Sequence, residues 1–205
     1  FSLILFVTSL EKGITNLIQQ QKILGLWHFL HLEKVITTTI INSNGTIEME
    51  ISGIILTGGN DLFSQSQNEL SILRDRHENK CIKYAIGKSI PIFGVCRGMQ
   101  LIAEYFGSTF KKIDNHIAKR HKICVANENE YQIQLNNIKN VNSYHKYAIN
   151  VLGIELENIA VCPDDNVIEA IVHKKYKIFG QMWHPEREYP FDLNNCQIIS
   201  SFFNA

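Results

Sequence analysis

The pentapeptide Gly94-Val95-Cys96-Arg97-Gly98 puts a thiol where an apolar run, SIPIFGV, gives way to a helical pattern, GMQLIAEYFG. Small residues on both sides permit the tight strand-to-helix elbow that presents a nucleophile, in the form G-x-nucleophile-x-G. A cysteine there sits at a helix N-terminus, whose positive dipole end and unpaired N–H groups favour the thiolate. The backbone N–H of Arg97 faces the same side and can hold an oxyanion. The competing reading makes Cys96 a small hydrophobe filling a gap behind the strand.

A nucleophilic thiol needs a base to take its proton and a third group to orient that base. The segment QMWHPERE offers both, in His184 and Glu186. Pro185 between them disfavours helix at His184, and on extended backbone residues two apart point to one side. The third piece is ILTGGND. Gly58 and Gly59 follow a buried strand pattern and let backbone N–H groups approach a ligand closely. The Gly59 N–H is expected to pair with that of Arg97 in an oxyanion hole.

These groups must be held by the elements around them. The opening run FSLILFVTSL reads as a first buried strand: it lacks a basic n-region and a cleavage site and is too short to span a bilayer. With Phe and no Met in front, the chain is expected to have lost a few residues at its start. Residues 11–32 carry a helical rhythm, KVITTTI is β-branched and strand-like, and NSNG has turn chemistry. ISGIIL is a fully apolar strand, and residues 66–88 read as a polar-faced helix with Leu70, Leu73, Ile82 and Ile86 inward. Gly107 is placed as a helix C-cap. Further on, HKICVANE and YQIQLNN alternate like antiparallel strands, NVIEAIVHKKYKIFGQMWH reads as a hairpin, and residues 192–203 as a closing helix. With no internal repeat and no linker, one domain over residues 1–205 is expected. Its class is α/β, with a mostly parallel central sheet flanked by helices and a small antiparallel strand-rich part. Functional groups gather at the carboxyl ends of strands in such sheets, where Gly58, Gly59, Cys96 and His184 all fall.

Composition narrows the partners. Twenty basic and twenty acidic side chains balance to a formal charge of zero, which argues against nucleic acid and anionic membrane as partners. A chain of 205 residues, 45% hydrophobic, fits a soluble globular protein. The five cysteines, at 81, 96, 124, 162 and 196, form no C-x-x-C and no metal-like spacing. They read as free thiols in a reducing cytoplasm, and no metal is expected. His28 and His31, with Glu33 near, read as surface or interface groups of an amphipathic helix.

GGND, GVCRGMQ, VNSYH and QMWHPE occur in the order and spacing of class I glutamine amidotransferases. The chain resembles in particular their γ-glutamyl hydrolase branch, which includes γ-glutamyl-γ-aminobutyrate hydrolase, and the match runs from Thr57 to the final helix. The resemblance implies a flavodoxin-like α/β fold, a Cys96–His184–Glu186 triad and no cofactor. It implies that Gln100 helps hold a γ-glutamyl group. It also places Asn142, Ser143 and His145 near the α-amino and α-carboxylate end of that group; as short polar side chains in a loop they suit a zwitterion.

GGNDL, LRDRHE and WHPERE resemble more narrowly the γ-glutamyl-CDP-amidate hydrolases of bacterial capsule phosphoramidate synthesis. Asn60, Asp61 and Arg74 would then lie toward the leaving group, where an arginine suits phosphate. The default alternative sets Arg74, Asp75 and Glu78 as charge pairs on a solvated helix face. The activity implied is cysteine-dependent hydrolysis of a small-molecule γ-glutamyl amide or phosphoramidate through a thioester. The alternatives are hydrolysis of γ-glutamyl-γ-aminobutyrate, and a glutaminase subunit supplying ammonia to a separate synthase. A flavodoxin-like cofactor binder is disfavoured because no phosphate-cradling glycine loop follows the first strand. A synthase partner and a homo-oligomer stay open. Residues 42–50 and 111–121 are expected to shape the leaving-group pocket.

Overall fold

The computed structural model describes residues 51–204, together with the backbone of two earlier strands, Leu3–Val7 (β1) and Lys34–Ile36 (β2). The expected helix over 11–32, the NSNG turn, residues 42–50 and the group of His28, His31 and Glu33 lie outside the described residues.

After Gly53–Leu56 (β3) come a short helix, Phe63–Ser66 (α1), and a long one, Glu69–Lys88 (α2). Strand Ile92–Val95 (β4) then leads into helix Arg97–Tyr105 (α3). The next segment is strand-rich: Thr109–Lys112 (β5), Ile117–His121 (β6) and Cys124–Val125 (β7), then helix Gln132–Asn137 (α4). It continues through Val141–Tyr144 (β8), Tyr147–Val151 (β9) and Leu156–Val161 (β10). Ile168–His173 (β11), Ile178–Gln181 (β12) and helix Leu193–Asn204 (α5) close the chain.

Eight strands form one sheet in the order β2-β1-β3-β4-β12-β11-β10-β7. The first five run parallel, and β11, β10 and β7 are antiparallel to their neighbours. Every residue of β3, β4 and β12 is buried, which is why those stretches read as unbroken apolar runs without alternation. Two antiparallel ribbons, β5–β9 and β6–β8, stand apart from the sheet. This is the expected α/β arrangement, with its smaller antiparallel part. No helix among the described residues is long and apolar enough to cross a membrane.

Packing fixes the centre of the sheet. Phe93 of β4 stacks on Phe179 of β12 with ring centroids 4.9 Å apart, and both meet Phe202 of α5. Trp183 is buried beside them and donates its indole N–H to Asn195 Oδ1 at 2.6 Å, tying α5 to the segment that carries His184. A Cβ added at Gly98 would lie 2.1 Å from the Leu56 carbonyl oxygen. Only glycine lets the N-terminus of α3 ride this low over β3.

Three local expectations are corrected. YQIQLNN is helical over 132–137, because Tyr131, Leu135 and Ile138 are buried at spacings of four and three while Ile133 is 71% exposed. VNSYH is not a loop: its first four residues form β8, paired with β6. On α2, Leu70 and Leu73 point outward at 71% and 73% exposure. The inward face is Ser71, Arg74, Asp75, Glu78, Cys81, Ile82 and Ala85, polar at its start because it meets charged partners there.

Candidate active site

Cys96 sits between β4 and α3 with φ 50° and ψ −106°, a left-handed region that a side chain enters at a cost of order 1–3 kcal/mol. The turn is held from both sides: the Cys96 N–H donates to the Gln181 carbonyl at 2.7 Å, and the Gln100 N–H donates to the Cys96 carbonyl at 3.0 Å. Arg97 is the first residue of α3, so its N–H has no acceptor within the helix.

β12 lies next to β4, and His184 emerges three residues after it at φ −109°, ψ 90°. The chain then turns through a 3-10 helix over Pro185–Arg187. Glu186 therefore reaches the ring from a helical turn, in place of the extended segment expected. Its Oε1 lies 2.6 Å from His184 Nδ1, and both side chains are buried. On its other side the His184 ring comes near enough to Cys96 for its charge to act on the thiol. Asn142, on β8, pins the histidine from behind: its Oδ1 accepts from the His184 N–H at 2.9 Å and its Nδ2 donates to the His184 carbonyl at 2.8 Å. Gly58 faces the ring edge, and a Cβ there would fall 2.5 Å from His184 Cε1.

The electrostatics follow from this contact. Burial pushes the Cys96 thiol up, but the His184 charge and hydrogen bond outweigh it and hold the thiol below its ordinary value. Burial likewise works against the His184 imidazolium, yet Glu186 and the Cys96 thiolate lift it to about 9. Glu186 is held below its usual range, because the His184 charge overrides the burial that opposes ionisation. A thiolate–imidazolium pair backed by a carboxylate is thus the favoured charge state near neutral pH.

The loop after β3 is clamped by Arg74. Its Nη2 donates to the carbonyls of Thr57 (3.0 Å) and Gly58 (3.1 Å), its Nη1 to Asn60 Oδ1 (3.2 Å), and its Nε to Glu78 Oε1 (2.8 Å). Gly59 has φ 151°, and a Cβ there would lie 2.2 Å from Arg74 Nη1. The Arg97 side chain, wholly buried, bridges Asp75 and Glu78. Two arginines and two carboxylates therefore lock the loop, α2 and the start of α3 together. This corrects the solvated helix face expected for Arg74, Asp75 and Glu78. Arg74 spends its donors on the loop and Glu78, so it acts on the site through the position of Gly58 and Gly59.

The remaining expected substrate groups divide. Gln100 reaches from α3, one turn after Cys96, to the Tyr147 carbonyl at 3.0 Å. Asn60 lies in the Arg74 clamp and donates to Ser71 Oγ at 2.7 Å, while Asp61 pairs with Lys146 at 2.7 Å. Asn142 has both amide ends engaged with His184 and Glu188, which fits positioning of the histidine better than substrate binding. Ser143, on the opposite face of β8, donates to the His116 carbonyl at 2.8 Å. His145 lies near enough to Cys96 for charge coupling, but its ring turns to the Tyr147 carbonyl and Glu169. Sequence reasoning missed the Arg97 side chain and the Tyr144 ring. That ring faces His184 edge-on at 5.9 Å and carries the Arg187 guanidinium 4.3 Å from its centroid.

Comparison with known proteins bears on this arrangement. The Peptidase C26 family model matches residues 35–186. The chain is 42% identical over 154 residues to the gamma-glutamyl-CDP-amidate hydrolase of Campylobacter jejuni, covering 75% of this chain and 70% of that protein. It is 29% identical over 175 residues to one subunit of the glutamine-hydrolysing GMP synthase of Methanococcus aeolicus, covering 82% and 84%. In fold it matches the crystal structure of a putative GMP synthase subunit from Thermoplasma acidophilum. That match has TM-score 0.72 and 19% identity over 98% of this chain and 92% of that one. The family match spans most of the chain and takes in Cys96, His184 and Glu186, so the chain belongs to the Peptidase C26 family of class I glutamine amidotransferase-like proteins.

Proposed function

We propose that this protein is a cysteine-dependent hydrolase of γ-glutamyl amides, with γ-glutamyl-CDP-amidate as its substrate and a place in the making of capsular phosphoramidate. The observation that carries the reading is the line Cys96–His184–Glu186, its His184–Glu186 contact 2.6 Å long and its thiol at a helix N-terminus. The 42% identity to a gamma-glutamyl-CDP-amidate hydrolase supplies the substrate class.

In the proposed reaction the Cys96 thiolate attacks the γ-carbonyl carbon, and the carbonyl electrons move onto oxygen. The Gly59 and Arg97 N–H groups hold that oxyanion. Collapse of the adduct breaks the C–N bond, and the His184 imidazolium gives its proton to the departing nitrogen. The products of this half are a free phosphoramidate and a γ-glutamyl thioester on Cys96. Neutral His184 then takes a proton from water, the resulting hydroxide attacks the thioester, and glutamate leaves as the thiolate and imidazolium are restored. Glu186 keeps the ring oriented in both halves. A phosphoramidate nitrogen leaves readily once protonated, so one imidazolium suffices.

Glutamate release by the purified chain tests this directly, with γ-glutamyl-CDP-amidate, γ-glutamyl-γ-aminobutyrate and free glutamine compared side by side. Fast release from the nucleotide compound, abolished by Cys96→Ala, is the expected result. Turnover that survives Cys96→Ala rules the mechanism out. The similarity to a GMP synthase subunit supports a second reading, in which the chain is a glutaminase that feeds a separate synthase. Release from glutamine alone, and only after a partner is added, would select it.

A further inference from the structure

Among the described residues, three histidines and a glutamate converge next to the active site without belonging to it. His116 precedes β6, His121 ends β6, His145 follows β8, and Glu169 lies on β11. One nitrogen of each ring and a carboxylate oxygen all fall within 4.8 Å of one another. Glu169 Oε1 is 3.5 Å from His116 Nδ1, 3.3 Å from His121 Nε2 and 3.6 Å from His145 Nε2. The side chains are more than nine-tenths buried. His121 Nε2, His145 Nε2 and both Glu169 oxygens have no hydrogen-bond partner.

The outer nitrogens settle what the inner ones present. His121 Nδ1 lies 2.9 Å from the Lys122 carbonyl and His145 Nδ1 lies 3.1 Å from the Tyr147 carbonyl. A carbonyl only accepts, so each Nδ1 carries the proton. His116 Nε2 lies 2.8 Å from Asp165 Oδ2, which accepts in the same way. The Ser143 hydroxyl lies 2.8 Å from the His116 carbonyl and 3.2 Å from His116 Nδ1; its one proton goes to the shorter contact, and with Nε2 protonated toward Asp165 the Nδ1 keeps its lone pair. In neutral rings, three nitrogen lone pairs therefore point at one buried carboxylate. Acceptors facing acceptors in a dry interior repel unless a cation lies between them.

We propose that His116, His121, His145 and Glu169 form a site for one divalent transition-metal ion, with Zn²⁺ as the ion that suits it. Three imidazoles and one carboxylate are an ordinary tetrahedral zinc set, with bonds of about 2.0–2.2 Å. Ligand atoms at those distances stand about 3.3–3.6 Å apart along the tetrahedron's edges, which is the spacing Glu169 Oε1 already keeps from the three nitrogens. Each ring is oriented by a carboxylate or backbone carbonyl on its far side, as the outer shell of metal-bound histidines is. With four protein ligands the site is closed, so the ion is structural. It fastens the β6–β8 ribbon to β11 of the main sheet, and through the Tyr147 carbonyl, shared by His145 and Gln100, it links to the helix that follows Cys96. No cysteine takes part, which is why cysteine spacing gave no sign of it.

The test uses the full chain carrying Cys96→Ala, so that the active-site thiol cannot hold metal. The protein is stripped with dipicolinate, titrated with Zn²⁺ alone, and analysed for bound metal and Tm. Uptake of about one equivalent with a Tm rise of several degrees is expected. Co²⁺ in place of zinc should give the intense visible bands of a four-coordinate site without a thiolate charge-transfer band. Glu169→Gln should weaken uptake at least ~10-fold. If Glu169→Gln fails to fold, the parent protein's uptake and cobalt spectrum still decide. Stripped protein that takes up no Zn²⁺ and shows an unchanged Tm overturns the proposal and leaves a cluster charged by protons.

Discussion

At the residue scale the site is a matter of where two protons rest. With His184 lifted to about 9 and Cys96 held below its ordinary value, the working ion pair persists through neutral pH. For the mechanism proposed, the kcat/KM profile is expected to lose activity on its alkaline side near pH 9, as the imidazolium proposed to protonate the leaving nitrogen is lost. Glu186→Gln removes the charge that lifts His184 and should move that alkaline limb toward neutrality while lowering kcat roughly 10²–10⁴-fold. Asn142 never touches the thiol but holds the His184 backbone at both N–H and carbonyl. Asn142→Ala should lower kcat about 10–100-fold with KM little changed, a split that steady-state kinetics reads directly. Cys96, His184 and Glu186 were legible in the sequence because their flanking glycines, apolar strand and proline lie within a few residues of them. Asn142 was legible as a group near the site but not as the brace of His184, since its partner is 42 residues away.

At the scale of elements, the junction of β3, β4, α2 and α3 sets the geometry. The buried set of Arg74, Arg97, Asp75 and Glu78 is balanced only as a whole. Arg97→Leu keeps the backbone N–H but leaves Asp75 without its cation and Glu78 with Arg74 alone, and urea unfolding should show a loss of about 3–5 kcal/mol. Gly98→Ala drives a Cβ against the Leu56 carbonyl oxygen, so α3 must lift from β3. A loss of about 1–3 kcal/mol, with a fall in kcat as the Cys96 turn shifts, is the expected outcome. These contacts explain what the sequence hid. A polar helix face looks solvated until the N-terminus of another helix is brought against it, and Leu70 and Leu73 draw the eye to the wrong side. YQIQLNN fits a strand by alternation and a helix by its Tyr131–Leu135–Ile138 spacing, and tertiary burial chose the second.

Across the whole molecule, five thiols share one chain and differ in reactivity by environment. Burial raises Cys81 to about 12, and Cys162 and Cys196 to about 11 each. Iodoacetamide at neutral pH should therefore alkylate Cys96 and the exposed Cys124, leaving the other three to react only after denaturation, as peptide mass spectrometry would read. The parallel half of the sheet was legible because β1, β3, β4 and β12 are short, nearly unbroken apolar runs and β2 is β-branched. The β6–β8 ribbon was not, because its partners are twenty or more residues apart in the chain and β6 is exposed along most of its length, so no apolar alternation marks it. The Arg74 clamp also has a bearing on time. A loop whose carbonyls are already tethered to a buried guanidinium has no rearrangement to complete after substrate arrives. For the hydrolase proposed, progress curves with the enzyme alone should run at full slope from the first turnover, with no lag for a partner to remove.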